Sequence, residues 1–142
     1  MAVLKRPDLF AAAVIDSGIV NPTRLAAGIN GANQFAEMGD PATADGFAAL
    51  AAQDSTLLLP QVAGGPDFLF TVGFNDARVS PWMSAKLVAA MRAHWGATHL
   101  ALVRADGQAG HVAGTTREQE IEQRADTFAF LLNRFGQMGF VK

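Results

Sequence analysis

The stretch Phe68-Leu69-Phe70-Thr71-Val72-Gly73-Phe74-Asn75-Asp76-Ala77-Arg78-Val79-Ser80-Pro81-Trp82 decides the fold. Its first residues are apolar, aromatic or β-branched and follow the turn sequence Gly64-Gly65-Pro66-Asp67, which is the pattern of a strand. Ser80 and Pro81 then supply an N-cap and a first-turn proline. Beyond them Met83, Leu87, Met91 and Trp95 share one helical stripe, with Val88 beside it and Gly96 to end the helix. Asp76 therefore stands just past a strand end and ahead of a helix, where open α/β sheets hold their ligands.

On the N-terminal side, Met1 to Leu4 reads as the tail of a helix stopped by Pro7. Ala11 to Asp16, closed by Ser17-Gly18, suits a strand buried on both faces, although its alanines also allow helix. Asn21 to about Asp45 is rich in Gly, Asn, Pro and Asp without a sustained period. It reads as a long excursion with one helical turn, and excursions of that length in compact domains are functional or cover something. Gly46 to Ala52 suits a brief helix.

On the C-terminal side, His99 to Val103 is a third short strand, followed by a loop from Ala105 to Gly114. Thr115 with Glu118 forms a capping-box pattern that opens a last helix. In that helix Ile121, Ala125, Phe128, Ala129, Leu132 and Phe135 recur at helical spacing, and Gly136 closes it. Strands alternating with helices predict a parallel sheet packed by helices, with its three strands as neighbours. Three parallel strands leave faces and edges to be covered, so the expected architecture is part of a larger sheet.

The chain has 142 residues, one domain's worth, and half of them are apolar. Its net charge is −2, with Lys and Arg scattered singly, so no basic footprint for nucleic acid or anionic membrane is present. There is no cysteine, which excludes disulfides and thiolate metal sites. A reducing cytoplasm fits this composition, and a periplasmic or secreted address is equally allowed. The segment Met1 to Asp8 is the reverse of a signal peptide, and no apolar run approaches the length of a membrane span, so a soluble chain is expected.

The chemistry concentrates in two places. Asp76 follows a strand, and Ala109-Gly110-His111 lies in a glycine-flanked loop ahead of the last helix. An acid that orients an imidazole and a histidine that shuttles a proton are two members of a hydrolase triad. In α/β-hydrolases the chain order is nucleophile, acid, histidine. Acid and base occur here in that order, whereas Ser17, Ser55, Ser80 and Ser84 do not stand in a Gly-x-Ser-x-Gly elbow. The plain alternative is an Asp in a turn and a His in a glycine-rich loop. His94 and His99 have no metal-binding motif near them, and Trp82 and Trp95 read as packing residues. No cofactor or metal is expected.

Five segments in order, Lys5-Arg6-Pro7-Asp8-Leu9-Phe10, Glu37-Met38-Gly39-Asp40-Pro41, Asn75-Asp76-Ala77-Arg78-Val79, Ala109-Gly110-His111 and Phe128-Ala129-Phe130-Leu131, resemble the catalytic domain of the prolyl oligopeptidase family of serine peptidases. The resemblance covers nearly the whole chain. It implies a partial α/β-hydrolase fold made of that domain's last three parallel strands with flanking helices, residues 1–142 being its C-terminal part. It also implies a peptide substrate, Asp76 as triad acid, His111 as triad base, and Arg78 as a binder of a substrate backbone carbonyl. For Arg78 a loop-bracing salt bridge is the alternative. Glu37 matches an acidic position without an assigned role, and a satisfied structural carboxylate is expected there.

The same resemblance places the nucleophile elbow upstream of Met1 and leaves the β-propeller and part of the oxyanion hole out of this chain. Inactivity of the chain alone and a need for the missing half of the domain follow as expectations. Where the family stacks an aromatic side chain on proline, the chain offers Gln34, Phe35 and Met38, and Val112 follows the histidine in place of a small residue. An esterase or acylaminoacyl-peptidase-type hydrolase, or a non-catalytic interaction remnant, is the alternative reading.

Overall fold

The computed structural model describes residues 1–111 and 116–140. Helix α1 (Ala2–Lys5) is followed by strand β1 (Ala12–Asp16), and three short helices, α2 (Phe35–Met38), α3 (Ala44–Ala51) and α4 (Ser55–Leu58), fill the excursion to β2 (Asp67–Gly73). Helix α5 (Trp82–Trp95) then leads to β3 (Ala101–Asp106), and α6 (Arg117–Arg134) completes the described order. The strands form one parallel sheet in the order β1-β2-β3. Phe68 pairs with Ala13 on one side and with Ala101 on the other, which makes β2 the central strand.

Side chains alternate across the sheet, as strand geometry requires. Ala13, Phe68, Phe70 and Ala101 point into a core built with Met83, Leu87, Val88, Met91 and Trp95 of α5. The stripe read from the sequence is therefore the packed face of that helix. Phe68 stacks between Phe70 and Trp95, with ring centroids 5.8 and 6.2 Å away, adding quadrupolar contact to area burial.

The opposite face of the sheet carries Val14, Leu69, Thr71 and Leu102 and is covered by α6. Phe130 is the buried residue of that helix. Ile121, Phe128 and Phe135 are 57, 60 and 63% exposed, and Phe128 borders a cleft that it shares with Val14, Asp16 and Thr71 of the sheet. A sheet three strands wide covers α6 only in part, and most of the apolar stripe stays exposed.

Several boundaries differ from the sequence expectation. β3 begins at Ala101, not His99, and runs to Asp106, because Asp106 still pairs with Gly73. Ser80 does not cap α5 through its side chain; its carbonyl accepts the N–H of Met83 at 3.1 Å. The capping box of α6 is Thr116 with Gln119, one position later than read, while Thr115 lies outside the described residues. Adjacent threonines each followed by Glu or Gln make the two registers equally legible.

The excursion holds more structure than one turn. 3-10 segments at Pro22–Ala27 and Gly31–Gln34 precede α2. The first of them is anchored by Asp54, which is fully buried. Asp54 Oδ2 accepts from Asn21 Nδ2 at 2.7 Å, from the Thr23 amide at 3.1 Å and from the Thr23 hydroxyl at 2.5 Å. Its Oδ1 accepts from the amide and hydroxyl of Thr56 at 2.8 and 2.6 Å. Lys86 Nζ of α5 donates to Asn21 Oδ1 at 2.8 Å, tying the cluster to the core helix. Burial works against this carboxylate, and the donors of Thr23, Thr56 and Asn21 more than offset it, holding the group below its ordinary pKa.

Candidate active site

β2 ends at Gly73, and the chain turns so that the Asp76 amide reaches back to the Gly73 carbonyl at 3.2 Å. Asp76 is buried. Its Oδ1 accepts the amides of Arg78 and Val79, both at 2.8 Å, an Asx-type turn that fixes the carboxylate. Its Oδ2 lies 2.8 Å from His111 Nδ1. In that arrangement an Nδ1–H donates to the acid, leaving Nε2 free to take a proton from a third group.

His111 reaches this point because the loop after β3 is laced to the acid's loop. Asp106 Oδ1 accepts the amides of Gln108 and Ala109 at 2.8 and 3.0 Å. The amides of Phe74 and Asn75 donate to the Asp106 and Ala109 carbonyls at 2.9 and 3.0 Å. Gly73 makes the approach possible. A Cβ there would lie 2.3 Å from the Gly110 oxygen and 2.4 Å from the Ala109 oxygen, inside any tolerated contact.

For the Asp76 carboxyl, burial is the largest influence and pushes its pKa up. The Val79 amide, His111 and the Arg78 amide together outweigh it, so the group lies below the usual carboxylate range. The carboxyl is therefore ionised throughout neutral pH.

Beside His111 opens a cleft of about 550 Å³ lined by Ser17, Ile19, Asn30, Asn33, Gln34, Glu37, Met38, Arg78, Val79 and His111. That volume suits a side chain with adjoining backbone. Arg78 is exposed, and its guanidinium has no hydrogen bond or ion pair among the described residues, so the loop-bracing salt bridge is not formed. Glu37 also has no such partner, and the satisfied structural carboxylate expected at this position is not found. Gln34 Nε2 donates to the Arg78 carbonyl at 3.2 Å, joining the excursion to the acid's loop.

Sequence reading did not single out Ser17, Asn30 or Asn33. Ser17 has φ 45°, left-handed backbone that is costly for a residue with a Cβ, and such strain collects at functional sites. The Ser17-Gly18 pair at a strand end was the available signal. The wall bearing Glu37 and Met38 is itself seated on glycine. A Cβ on Gly39 (φ 124°) would lie 2.6 Å from the Gly46 oxygen, and one on Gly46 would lie 2.2 Å from the Asp40 oxygen. Val112, the residue after the histidine, lies outside the described residues. Among those described, no group of three or more His, Asp or Glu is placed to hold a metal ion, and no helix is long and apolar enough to cross a membrane.

An acid and a histidine presented in that chain order from the carboxyl ends of adjacent parallel strands define the α/β-hydrolase class of catalytic domain. Within that class, residues 1–138 match the model of the prolyl oligopeptidase family of serine peptidases, and the chain belongs to this family. It is 28% identical over 133 residues to a prolyl oligopeptidase of Omphalotus olearius, covering 92% of this chain and 18% of that protein. It is 29% identical over 130 residues to the prolyl endopeptidase of Dictyostelium discoideum, covering 89% of this chain and 17% of that protein. A solved structure from a study of two prolyl endopeptidases superimposes with a TM-score of 0.86 at 28% identity, over 93% of this chain and 20% of that one. The chain thus spans about a fifth of the length of these relatives and corresponds to the C-terminal part of their α/β-hydrolase domain.

Proposed function

We propose that the chain supplies the acid and base of a serine peptidase that cleaves peptide bonds through an acyl-serine intermediate. His111 Nε2 takes the proton of the attacking serine hydroxyl and returns it to the leaving amine. Asp76 holds the imidazole in the tautomer this requires and steadies its cation. Arg78, unpaired beside the cleft, binds a backbone carbonyl of the substrate. The observation that carries the reading is the 2.8 Å contact between His111 Nδ1 and the buried Asp76 carboxylate.

None of the four serines in the sequence stands in an elbow motif, so the 142 residues do not hydrolyse peptides alone. The nucleophile comes from a separate part of the catalytic domain, which pairs with the free edge of β1 and covers the exposed stripe of α6. The stripe also fits the interaction-remnant reading.

A fluorophosphonate probe tests the proposal. The chain alone should remain unlabelled. Combined with the elbow-bearing remainder of a prolyl oligopeptidase catalytic domain, it should give a complex labelled at the elbow serine, and His111→Ala should abolish labelling. Labelling of the chain alone, or labelling of the complex unaffected by His111→Ala, refutes the reading.

A further inference from the structure

We infer that Asp106 is a positioning residue for the base: its side-chain oxygen folds the loop that sets the His111 ring against Asp76, acting as an acceptor and not as a charge. The kinetic consequence rests on the peptidase reading above and deepens it.

The two loops that present acid and base are built alike. Asp76 Oδ1 accepts the amides two and three residues on, those of Arg78 and Val79. Asp106 Oδ1 does the same with Gln108 and Ala109, at 2.8 and 3.0 Å. Each is an Asx-type turn at the carboxyl side of a parallel strand. Asp106 is itself still in register with Gly73, so the sheet fixes its backbone and the carboxylate carries that order outward to Ala109. Ala109 is buried, its carbonyl accepts the Asn75 amide at 3.0 Å, and Asn75 adjoins Asp76. A closed circuit results, from Asp106 to Ala109, from Ala109 to Asn75, and from Asp76 to His111.

Other sources of order in this loop are weaker. Neither Gly107 nor Gly110 has left-handed backbone, and a Cβ on either would make only ordinary contacts, at 3.9 and 3.8 Å. The turn therefore does not depend on glycine's conformational freedom. The Asn75 side chain reaches the Gly107 carbonyl at 3.3 Å, the longest hydrogen bond of the set. Both amides converge on one oxygen of Asp106, and the Oδ1 of an asparagine takes them equally well. Releasing this turn leaves Asp76 in its own turn and frees the histidine. A misplacement of about 1 Å at a reacting group costs on the order of 10²-fold in rate.

The test compares Asp106→Asn, Asp106→Ser and Asp106→Ala, with Asp67→Ala as the control. Asp67 Oδ1 accepts the Leu100 amide at 2.6 Å at the opposite end of the sheet, so its loss costs stability without touching the base's loop. In the chain alone, the His111 ring-nitrogen shifts report the bond from Nδ1 to Asp76. They should be unchanged in the Asn variant, displaced partway in the Ser variant, whose hydroxyl accepts more weakly, and displaced furthest in the Ala variant. The control should not displace them. In the complex with the elbow-bearing remainder, Asp106→Ala should lower kcat on the order of 10²-fold with KM changed less than about twofold, and Asp106→Asn should restore the rate. Unchanged ring shifts in Asp106→Ala, an Asn variant that behaves like it, or equal displacement by Asp67→Ala overturns the inference. Should Asp106→Ala fail to fold, the other two variants decide: a displaced Ser variant beside an undisplaced Asn variant supports the assignment, and any other pattern overturns it. Graded ring shifts in a complex without turnover remove the peptidase reading and leave Asp106 its role. Turnover that Asp106→Ala does not change removes the role alone.

Discussion

Asp76 Oδ2 and His111 Nδ1 lie 2.8 Å apart although 35 residues separate them in sequence. The contact is a property of the sheet. β2 and β3 are parallel neighbours, so their carboxyl ends, with the loops that follow, open on the same side. Asp76→Asn should keep the backbone turn yet offer His111 an amide in place of a charge. In the complemented enzyme kcat/KM should fall by about 10³ to 10⁴-fold, with the His111 ring-nitrogen shifts reporting a changed tautomer. A fall of less than tenfold would leave Asp76 as a loop residue only.

Gly73→Ala should separate the two loops. The added methyl meets the Gly110 and Ala109 carbonyls, and the strain should cost about 1–3 kcal/mol in urea denaturation. The Asp76–His111 coupling should disappear along with it. An alanine variant that is as stable as the parent and retains the coupling contradicts the packing described.

Asp54→Ala strands the part-buried amides of Thr23 and Thr56 and should cost about 2 kcal/mol or more, at roughly 1–3 kcal/mol for each unsatisfied donor. Chemical denaturation measures this directly. Protection of the Thr23 amide from hydrogen exchange should be lost before that of β2.

Acid should destabilise the chain through the same groups. Both Asp54 and Asp76 titrate below the ordinary carboxylate value when folded. Their contribution is therefore fully present above the unfolded value near about pH 4 and is lost as the pH falls through the lower, folded values. Unfolding free energy followed from pH 7 to pH 2 should stay level in this respect until about pH 4 and then decline. Asp54→Asn should flatten part of the decline; a rise in stability on acidification would reverse the assigned sign.

The exposed flank of α6 allows a test of what covers it. Phe128→Ser and Ile121→Ser should change the stability of the chain by less than about 0.5 kcal/mol, because both side chains are already more than half exposed. Assembly with the elbow-bearing remainder of the catalytic domain, read by sedimentation velocity, should weaken in these variants. A large loss of stability would mean that the stripe packs inward.

The elements legible in the sequence were those governed by local period. β2 was readable from its apolar run and α5 from the stripe Met83, Leu87, Met91 and Trp95. The acid and histidine were legible because their order along the chain mirrors the order of the strands. The excursion was not, since its turns depend on Asp54, which lies 31 residues beyond Thr23, and no window of sequence contains that contact. The packed face of α6 was hidden for another reason: periodicity identifies an apolar stripe but not the surface it meets. The cleft escaped because residues from the end of β1, the excursion and two later loops assemble it.

The paired glycines at 39 and 46 place backbone against backbone under the wall that carries Glu37 and Met38. A wall seated in this way does not rely on the side chains it displays. Gln34, Glu37 and Met38 can be exchanged while the scaffold beneath them stays in place, so the lining of the cleft can diverge by point changes on a fixed frame. Substitution at either glycine has the opposite effect, shifting the whole wall at once.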